Sequence, residues 1–593
     1  LSWLPSKVLY IDLTHKKWWV EDRKDLFERW LGGIGVAIQL YKEEVRPDVD
    51  PLSPENVIIF AVGPLTGIFP MASKTVTVFK SPLDGYVAES HAGGRSAAAI
   101  RFAGYGAIVI KGASDRPVHL VIDDRRVRFY DASALWGMKS TETIGRVLRE
   151  VTPGSGFRTI MRIGLAGEKL VRYANVNVDT YRHFGRMGLG AVFGSKKLKA
   201  ITIIGRRAYA LDKRLLGEYM KVYKEIYELA TTSPALRKYH DLGTPQNVLV
   251  LNKLGALPTR NFQSGRFEQA ENISGEYLAE RLLGRRLACS GCPVACIHLA
   301  ALREPTGEPY FYKTTFICYD YELIYALGSN LCIGDAEGML RLIRAVEEYG
   351  LDAISTGVVL AWITEAYERG LITKSETIVE PRWGDWKAYV EMVKYIVYQP
   401  NDFYRTAALG VYALAEKYGG KDFALQVNKV EPAGYHTGPT YWVSLAVGFR
   451  HSHLDSAGYS YDEKLAKEGK RDVTAHDIAK YIVEEESWRQ VLNSLVVCLF
   501  GRGIYKEDLV ARALRSIGIN VTPDDLKTLG RQIWLEKWIV KIREGYDPER
   551  IELPKRIFET ETPLGKIDPE LVKTAIREVK YMIYEALERG LRR

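Results

Sequence analysis

Three cysteines fall within the eight-residue segment CSGCPVAC of this 593-residue chain. Cys289, Cys292 and Cys296 are spaced by three and four positions. The first pair brackets a turn, Cys296 returns on the next turn of chain, and Pro293 restricts the backbone after Cys292, so the sulfurs can converge on one inorganic centre. Zinc would want a compact four-ligand set, with His298 as the nearby candidate, but no second CxxC exists to form the usual paired knuckle. A cubane iron–sulfur cluster accepts three clustered cysteines and a distant fourth. A third reading leaves all three as reduced thiols. Cys498, in the apolar VLNSLVVCLFGRG, has the setting of a remote buried ligand and equally that of a cysteine buried as a small hydrophobe. Cys318 and Cys332 read as inert thiols.

Six cysteines in so long a chain do not make a disulfide framework. The length exceeds what one hydrophobic core supports, so two to four domains are expected. Hydrophobic residues at 47% and charged residues at 26% are the mixture of a soluble globular protein, while 12 Trp and 35 Tyr supply an aromatic interior or cleft lining. The net charge of +9 arises from 82 basic and 73 acidic residues without a run of like charges. That pattern gives a nucleic-acid role no footing and suits a basic docking patch for an acidic protein partner. The opening LSWLPSKVLYIDLTHKKWWVE lacks a basic head, apolar run and cleavage site, and 18 apolar residues never run uninterrupted, so no membrane span and a cytoplasmic location are expected. Abundant Glu, Lys and Arg with only 10 His suit a protein from a hot environment.

The pattern along the chain predicts an α+β fold. Through residue 210 the text is mainly strand and turn. KVLYIDL and KWWVE pair as a hairpin across Thr14–Lys16, NVIIFAVGPLTG and GAIVIKG are apolar strands ending in glycine, and VHLVIDDRRVRFYD forms a hairpin around Asp123 and Asp124. From about 211 the spacing turns helical in LLGEYMKVYKEIYELA, EYLAERLLG, DAEGMLRLIRAVEEYG and WKAYVEMVKYIVYQ. SYDEKLAKEGKRDVTAHDIAKYIVEEE reads as a polar excursion. Thr522, Pro523, Asp524 and Asp525 give a clear helix start.

In order along nearly the whole chain, WLGGIGVAIQLYKE, VDPLSPENVIIFAVGPLTG, KSPLDG, AGGRSAAAIRFAGYGAIVIKG, GLAGE, GRMGLGAVFGSKKLKAI, CSGCPVAC, YELIYALGSNLCIGD, YGLDAISTG, CLF and GRQIW resemble the tungsten-containing aldehyde:ferredoxin oxidoreductases. The resemblance implies a β-rich cofactor-base domain (1–210) and two mainly helical domains, 211–425 with three cluster cysteines and 426–593 with the fourth. It implies a [4Fe–4S] cluster on Cys289, Cys292, Cys296 and Cys498 near a tungsten bis-pterin (tungstopterin) centre. Two pterin motifs look like Glu347 to Asp352 and Asn493 to Cys498. In the first, Glu347 replaces an aspartate and Gly350 also reads as a helix C-cap. In the second, Asn493 loses the charge and Val496–Val497 replaces Gly-Leu, which implies a weaker hold on one pterin. Lys74 stands for an arginine and keeps charge without the planar fork. His91, Gly93, Arg182 and His183 match segments whose main chain positions Mg2+ between the pterin phosphates.

The resemblance further implies that Glu322 is the base taking a proton from water or a hydrated aldehyde, with a raised pKa if buried. His453 is the donor near the reacting oxygen, His451 being a second candidate. Asp455, where relatives carry lysine, suggests a polar aldehyde. Arg341 and Arg344 replace the Glu-x-x-His through which some relatives share an interfacial metal, so a monomer, or a dimer without that metal, is expected. Ferredoxin is the implied electron acceptor. The alternatives are the same scaffold with molybdenum or a non-aldehyde substrate, and a noncatalytic iron–sulfur carrier.

Overall fold

The computed structural model describes residues 5–209 and 211–591; the boundary residue Ala210 and the first four residues of the opening segment lie outside the described residues. Strands Lys7–Asp12 and Lys17–Asp22 form the expected hairpin, with Asp12 opposite Lys17. They belong to a six-stranded sheet in the order Lys17–Asp22, Lys7–Asp12, Ala107–Lys111, Ile58–Ala61, Thr75–Lys80, Val87–Ala92. A second six-stranded sheet runs Arg182–Phe184, Val176–Val178, Phe157–Arg162, Leu198–Gly205, Val118–Ile122, Val127–Asp131. Its last two strands are the hairpin expected around Asp123 and Asp124.

The unbroken apolar runs of the first sheet follow from burial on both faces. Side chains alternate across a strand. Leu9, Ile11, Ile58, Phe60, Ile108 and Ile110 pack with Leu120, Ile122, Met161 and Ile201 of the second sheet. Val8, Tyr10, Ile59, Ala61, Ala107 and Val109 point the other way, into a core shared with helix Gly33–Glu44 and with Ile533 and Val540 of helix Pro523–Arg543.

Beyond Leu216 the chain is mainly helical. Helix Pro439–Val447 is wholly buried and Ala353–Glu368 nearly so, which is why neither shows a one-sided apolar stripe. A single cluster joins Val248, Trp362, Trp442 and Ile583. Thr522 caps Pro523–Arg543 as expected, accepting from the Asp525 N–H while the Asp525 carboxylate accepts from the Thr522 N–H.

Two segments depart from expectation. In EYLAERLLG the helix ends at Arg281, and Leu283–Leu287 is instead the first strand of a three-stranded antiparallel sheet with Ile297–Pro305 and Tyr312–Cys318. Two helical turns carry too little periodicity to show where a helix stops, whereas YKTTFIC has the β-branched and aromatic content of a strand. The polar stretch after Tyr459 is two helices, Gly458–Lys467 and Ala475–Ser494, the second opened by a Thr474–Asp477 capping box.

Candidate active site

The cysteine loop lies between strands Leu283–Leu287 and Ile297–Pro305, and Cys498 follows helix Ala475–Ser494. Backbone bonds stitch both to the N-terminal region. The Ser290 N–H donates to the Gly94 carbonyl at 2.9 Å and the Met71 N–H to the Gly291 carbonyl at 3.4 Å. The Cys498 N–H donates to the Met71 carbonyl at 2.9 Å and the Lys74 N–H to the Val496 carbonyl at 3.1 Å. Cys289, Cys292, Cys296 and Cys498 thereby line one cavity of about 330 Å³. Among the described residues no three His, Cys, Asp or Glu side chains are drawn tightly round one point as a single ion requires. The sulfurs border a hollow instead. Burial pushes the Cys292 thiol up to about 12 and Cys296 further, so binding a metal there must displace protons.

Lys74 and Arg182 bring positive charge to this end. Burial alone would lower the Lys74 pKa, but attraction to Cys498 and Cys289 outweighs it and the net shift is upward. Arg182 donates to the Cys318 sulfur at 3.2 Å and pairs with Asp320 at 3.7 Å. Gly93 is the closest approach of the backbone: a Cβ there would lie 2.7 Å from Cys289 Sγ.

The remaining candidates, His91, His183, Glu347, Asp352, Asn493, Glu322 and His453, line the same cavity. Glu347 ends helix Ala336–Tyr349, with Gly350 at φ 75 as its C-cap, and its carboxylate meets His183 Nε2 at 2.7 Å. His91 Nε2 lies 3.3 Å from Glu89, and burial drives its pKa down to about 4, leaving a neutral ring. Asp352 caps helix Ala353–Glu368. It accepts from the Ile354 and Ser355 N–H groups, from the Ser355 hydroxyl and, at 3.0 Å, from Arg186. A carboxylate has about four lone-pair sites, so Asp352 is saturated and the group it holds toward the cavity is the Arg186 guanidinium.

At the acid–base end, Glu322 in helix Tyr321–Leu327 accepts from the Tyr435 hydroxyl at 2.7 Å and lies 3.2 Å from His453 Nε2. Burial pushes its pKa up, but the hydrogen bond and charge of His453 and the bond from Tyr435 outweigh burial, so the net shift is downward. This corrects the expected raised pKa: the helix supplies burial, while the opposing donors come from segments more than a hundred residues away. Tyr435 stacks on His453 at 5.3 Å and on Tyr459 at 4.1 Å.

His453 sits in a loop without regular structure, held from two sides. Asp455 accepts from the Ser452 N–H and from Arg450 Nε at 3.0 and 3.2 Å. Lys541, from helix Pro523–Arg543, donates to the Phe449 carbonyl at 2.5 Å and to His451 Nε2 at 2.9 Å. His451 is thus a buried strut whose Nδ1 bonds the Leu445 carbonyl at 2.7 Å, and it does not line the cavity. Asp455 does not line it either, whereas the hydroxyl-bearing Tyr435, Ser452 and Tyr459 do. Arg186, Arg450 and Tyr435 are lining residues without a candidate role in the sequence, and Cys318, read there as an inert thiol, lines the cavity too. Arg186 stands in the quoted GRMGLG, whereas a lone tyrosine in EPAGYHTG gives no signal. Arg341 and Arg344 lie on helix Ala336–Tyr349 and pair with Glu304 and Glu348 at 3.2 Å.

The lining suits an iron–sulfur cluster and a polar, anionic cofactor. Four sulfurs line one end, Lys74, Arg182, Arg186 and Arg450 supply cations, and the buried Asn175 Oδ1 and His453 Nδ1 lack hydrogen-bond partners among the described residues. Fold and site together define a redox enzyme scaffold built round a metal cofactor. Family models described as aldehyde ferredoxin oxidoreductase, N-terminal domain, and aldehyde ferredoxin oxidoreductase, domains 2 and 3, match residues 8–205 and 221–590. The chain belongs to the aldehyde ferredoxin oxidoreductase family. It is 36% identical over 561 residues to the tungsten-containing aldehyde ferredoxin oxidoreductase of Thermococcus kodakarensis, covering 91% of this chain and 89% of that one. It is 30% identical over 584 residues to the aliphatic sulfonate oxidoreductase WOR-like subunit of Pyrococcus furiosus, covering 93% and 89%. Among solved structures, the active site complex BamBC of benzoyl coenzyme A reductase with 1,5-dienoyl-CoA shares the fold, with a TM-score of 0.79 at 21% identity over 98% of this chain and 94% of that one.

Proposed function

We propose that this protein oxidises an aldehyde to the carboxylic acid with water at a tungsten bis-pterin centre and sends the electrons through a [4Fe–4S] cluster to ferredoxin. The observation that carries the reading is the meeting, in a chain of this family, of the four cysteines and the Glu322–His453–Tyr435 constellation on one cavity. When bound, the tungsten centre supplies two-electron exchange and the cluster one-electron export.

The chain's own residues supply the rest. Cys289, Cys292, Cys296 and Cys498 would hold the cluster, with Lys74 and Arg182 between it and the pterins. Glu347, Asp352 through Arg186, and Asn493 would hold the pterins, and the main chain at His91, Gly93, Arg182 and His183 would place Mg2+ at their phosphates. Glu322, kept ionised by its two donors, takes a proton from the attacking water or the hydrate, and His453 Nε2 moves or holds a proton beside it. Tyr435, Tyr459 and Leu323 line that end and offer ring and aliphatic surface that favours an apolar or aromatic aldehyde. We place the domain divisions at 1–210, 211–425 and 426–593, in a monomer or in a dimer without a shared metal.

Protein produced with tungstate and molybdate is tested by counting bound tungsten, molybdenum and iron and by assaying acid formation from acetaldehyde, crotonaldehyde, benzaldehyde and glyceraldehyde, with an aliphatic sulfonate alongside. Tungsten retention and turnover of the apolar aldehydes are expected. Turnover of the sulfonate with none of the aldehydes by fully loaded protein overturns the reading.

A further inference from the structure

The tip of the cysteine loop faces out of the molecule. Gly291 is exposed in a left-handed turn at φ 70, and a Cβ added there would meet nothing within 4 Å. Two segments flank it. Strand Leu283–Leu287, two residues upstream of Cys289, exposes Arg285 and Arg286. Helix Pro234–Asp241 exposes Arg237 and Lys238.

Hydrogen bonds fix that helix to the loop. Arg286 donates to the His240 and Asp241 carbonyls at 2.9 and 3.1 Å, and His240 Nδ1 bonds the Val294 carbonyl at 2.8 Å. Tyr239 of the same helix stacks at 4.2 Å on Phe500, two residues after Cys498. Half-buried aromatic and sulfur-bearing groups are thus flanked by two segments that carry four exposed cations, with Asp241 as the exposed acid within these two segments. Among the described residues none of the four cations forms an ion pair, whereas Arg281, at the end of the preceding helix, pairs with Glu280, and Glu304 of the neighbouring strand pairs with Arg341.

We propose that this cationic collar is the docking surface for an acidic iron–sulfur electron carrier, an inference that rests on the function proposed above. Charge complementarity selects the partner: a carboxylate-rich protein gains four attractive contacts, while a basic or neutral one does not. Position selects the role, because the collar flanks the exposed turn of the loop bearing three of the four sulfurs. An apolar centre with a charged rim is the layout of transient protein interfaces. Surface charges of this kind act chiefly on the rate of encounter and fade with added salt.

The test uses the holoenzyme with two acceptors, an acidic [4Fe–4S] ferredoxin and the small cation benzyl viologen. Substitutions R237E, K238E and R285E are combined; Arg286 is left intact because it anchors the helix. At low ionic strength the variant is expected to raise KM for ferredoxin by about tenfold or more, with iron content and aldehyde-driven viologen reduction unchanged. The wild-type KM for ferredoxin is expected to rise with added salt. Unchanged ferredoxin kinetics in a variant that still reduces viologen, or a wild-type KM indifferent to salt, overturns the docking surface and leaves the proposed function standing. Fully loaded wild-type protein that reduces neither acceptor with any aldehyde overturns both.

Discussion

The two ends of the cavity are built on opposite principles. The cysteine end is assembled by backbone bonds from three distant segments, which bring the thiols and the cations Lys74 and Arg182 to one place. The acid–base end is made from side chains that satisfy one another: Glu322 has both its donors in place, and the loop bearing His453 is braced by Lys541 and Asp455. One end is a vessel that its contents finish, while the other is organised beforehand. Preorganised donors act without rearranging during the reaction, which is their value in catalysis.

Substitutions separate the two. The largest effect is expected from Cys498→Ala, which removes the ligand that closes the cysteine end: iron content should fall by about one cluster per chain and ferredoxin-linked activity should drop to background. Full iron retention would show that the vessel does not need its fourth wall. Next comes Lys541→Met. Losing the donor to the Phe449 carbonyl and His451 releases the loop under His453, and displacements near 1 Å cost up to about 100-fold in rate. The rate should fall with iron and tungsten content intact, and the pH profile should shift, which a general loss of stability would not produce.

Tyr435→Phe is expected to cost about tenfold in kcat, the range for one hydrogen bond to a charged group. The Tyr435 bond lowers the Glu322 pKa, so its removal raises that pKa. Activity that depends on the carboxylate is then lost at higher pH, and the acid limb of the kcat profile should move upward. A limb that stays in place would detach Glu322 from proton transfer.

The last effect concerns stability and leaves the rate aside. Burial holds the Glu431 carboxyl up at about 7 from an ordinary 4.5. Between those values the folded state keeps a proton that the unfolded state has lost. Stability therefore declines as pH rises through that window and is flat above it. Glu431→Gln should remove the decline, on the order of 3 kcal/mol by linkage. Melting temperatures from pH 4.5 to 8 would test this.

Three members of the cysteine end were legible because they share one short segment, whereas Cys498 entered through the family resemblance, since its apolar stretch suits a small buried hydrophobe equally. The strand hairpins and the Thr522 cap were legible for the same local reason. What stayed hidden is non-local. The direction of the Glu322 shift depends on Tyr435 and His453, more than a hundred residues away. The choice between His451 and His453 depends on a lysine ninety residues downstream. The saturation of Asp352 needs Arg186, and the outward face of the cysteine loop needs a sheet whose first strand had the look of a helix end.

On one side of the first sheet the core formed with helix Gly33–Glu44 is completed by Ile533 and Val540, residues made when synthesis is nearly over. During translation this layer leaves the ribosome early and waits with the outer part of its apolar core uncovered, a state prone to aggregate. A fragment ending near residue 205 should therefore be insoluble when produced alone and recoverable when the remainder is co-expressed.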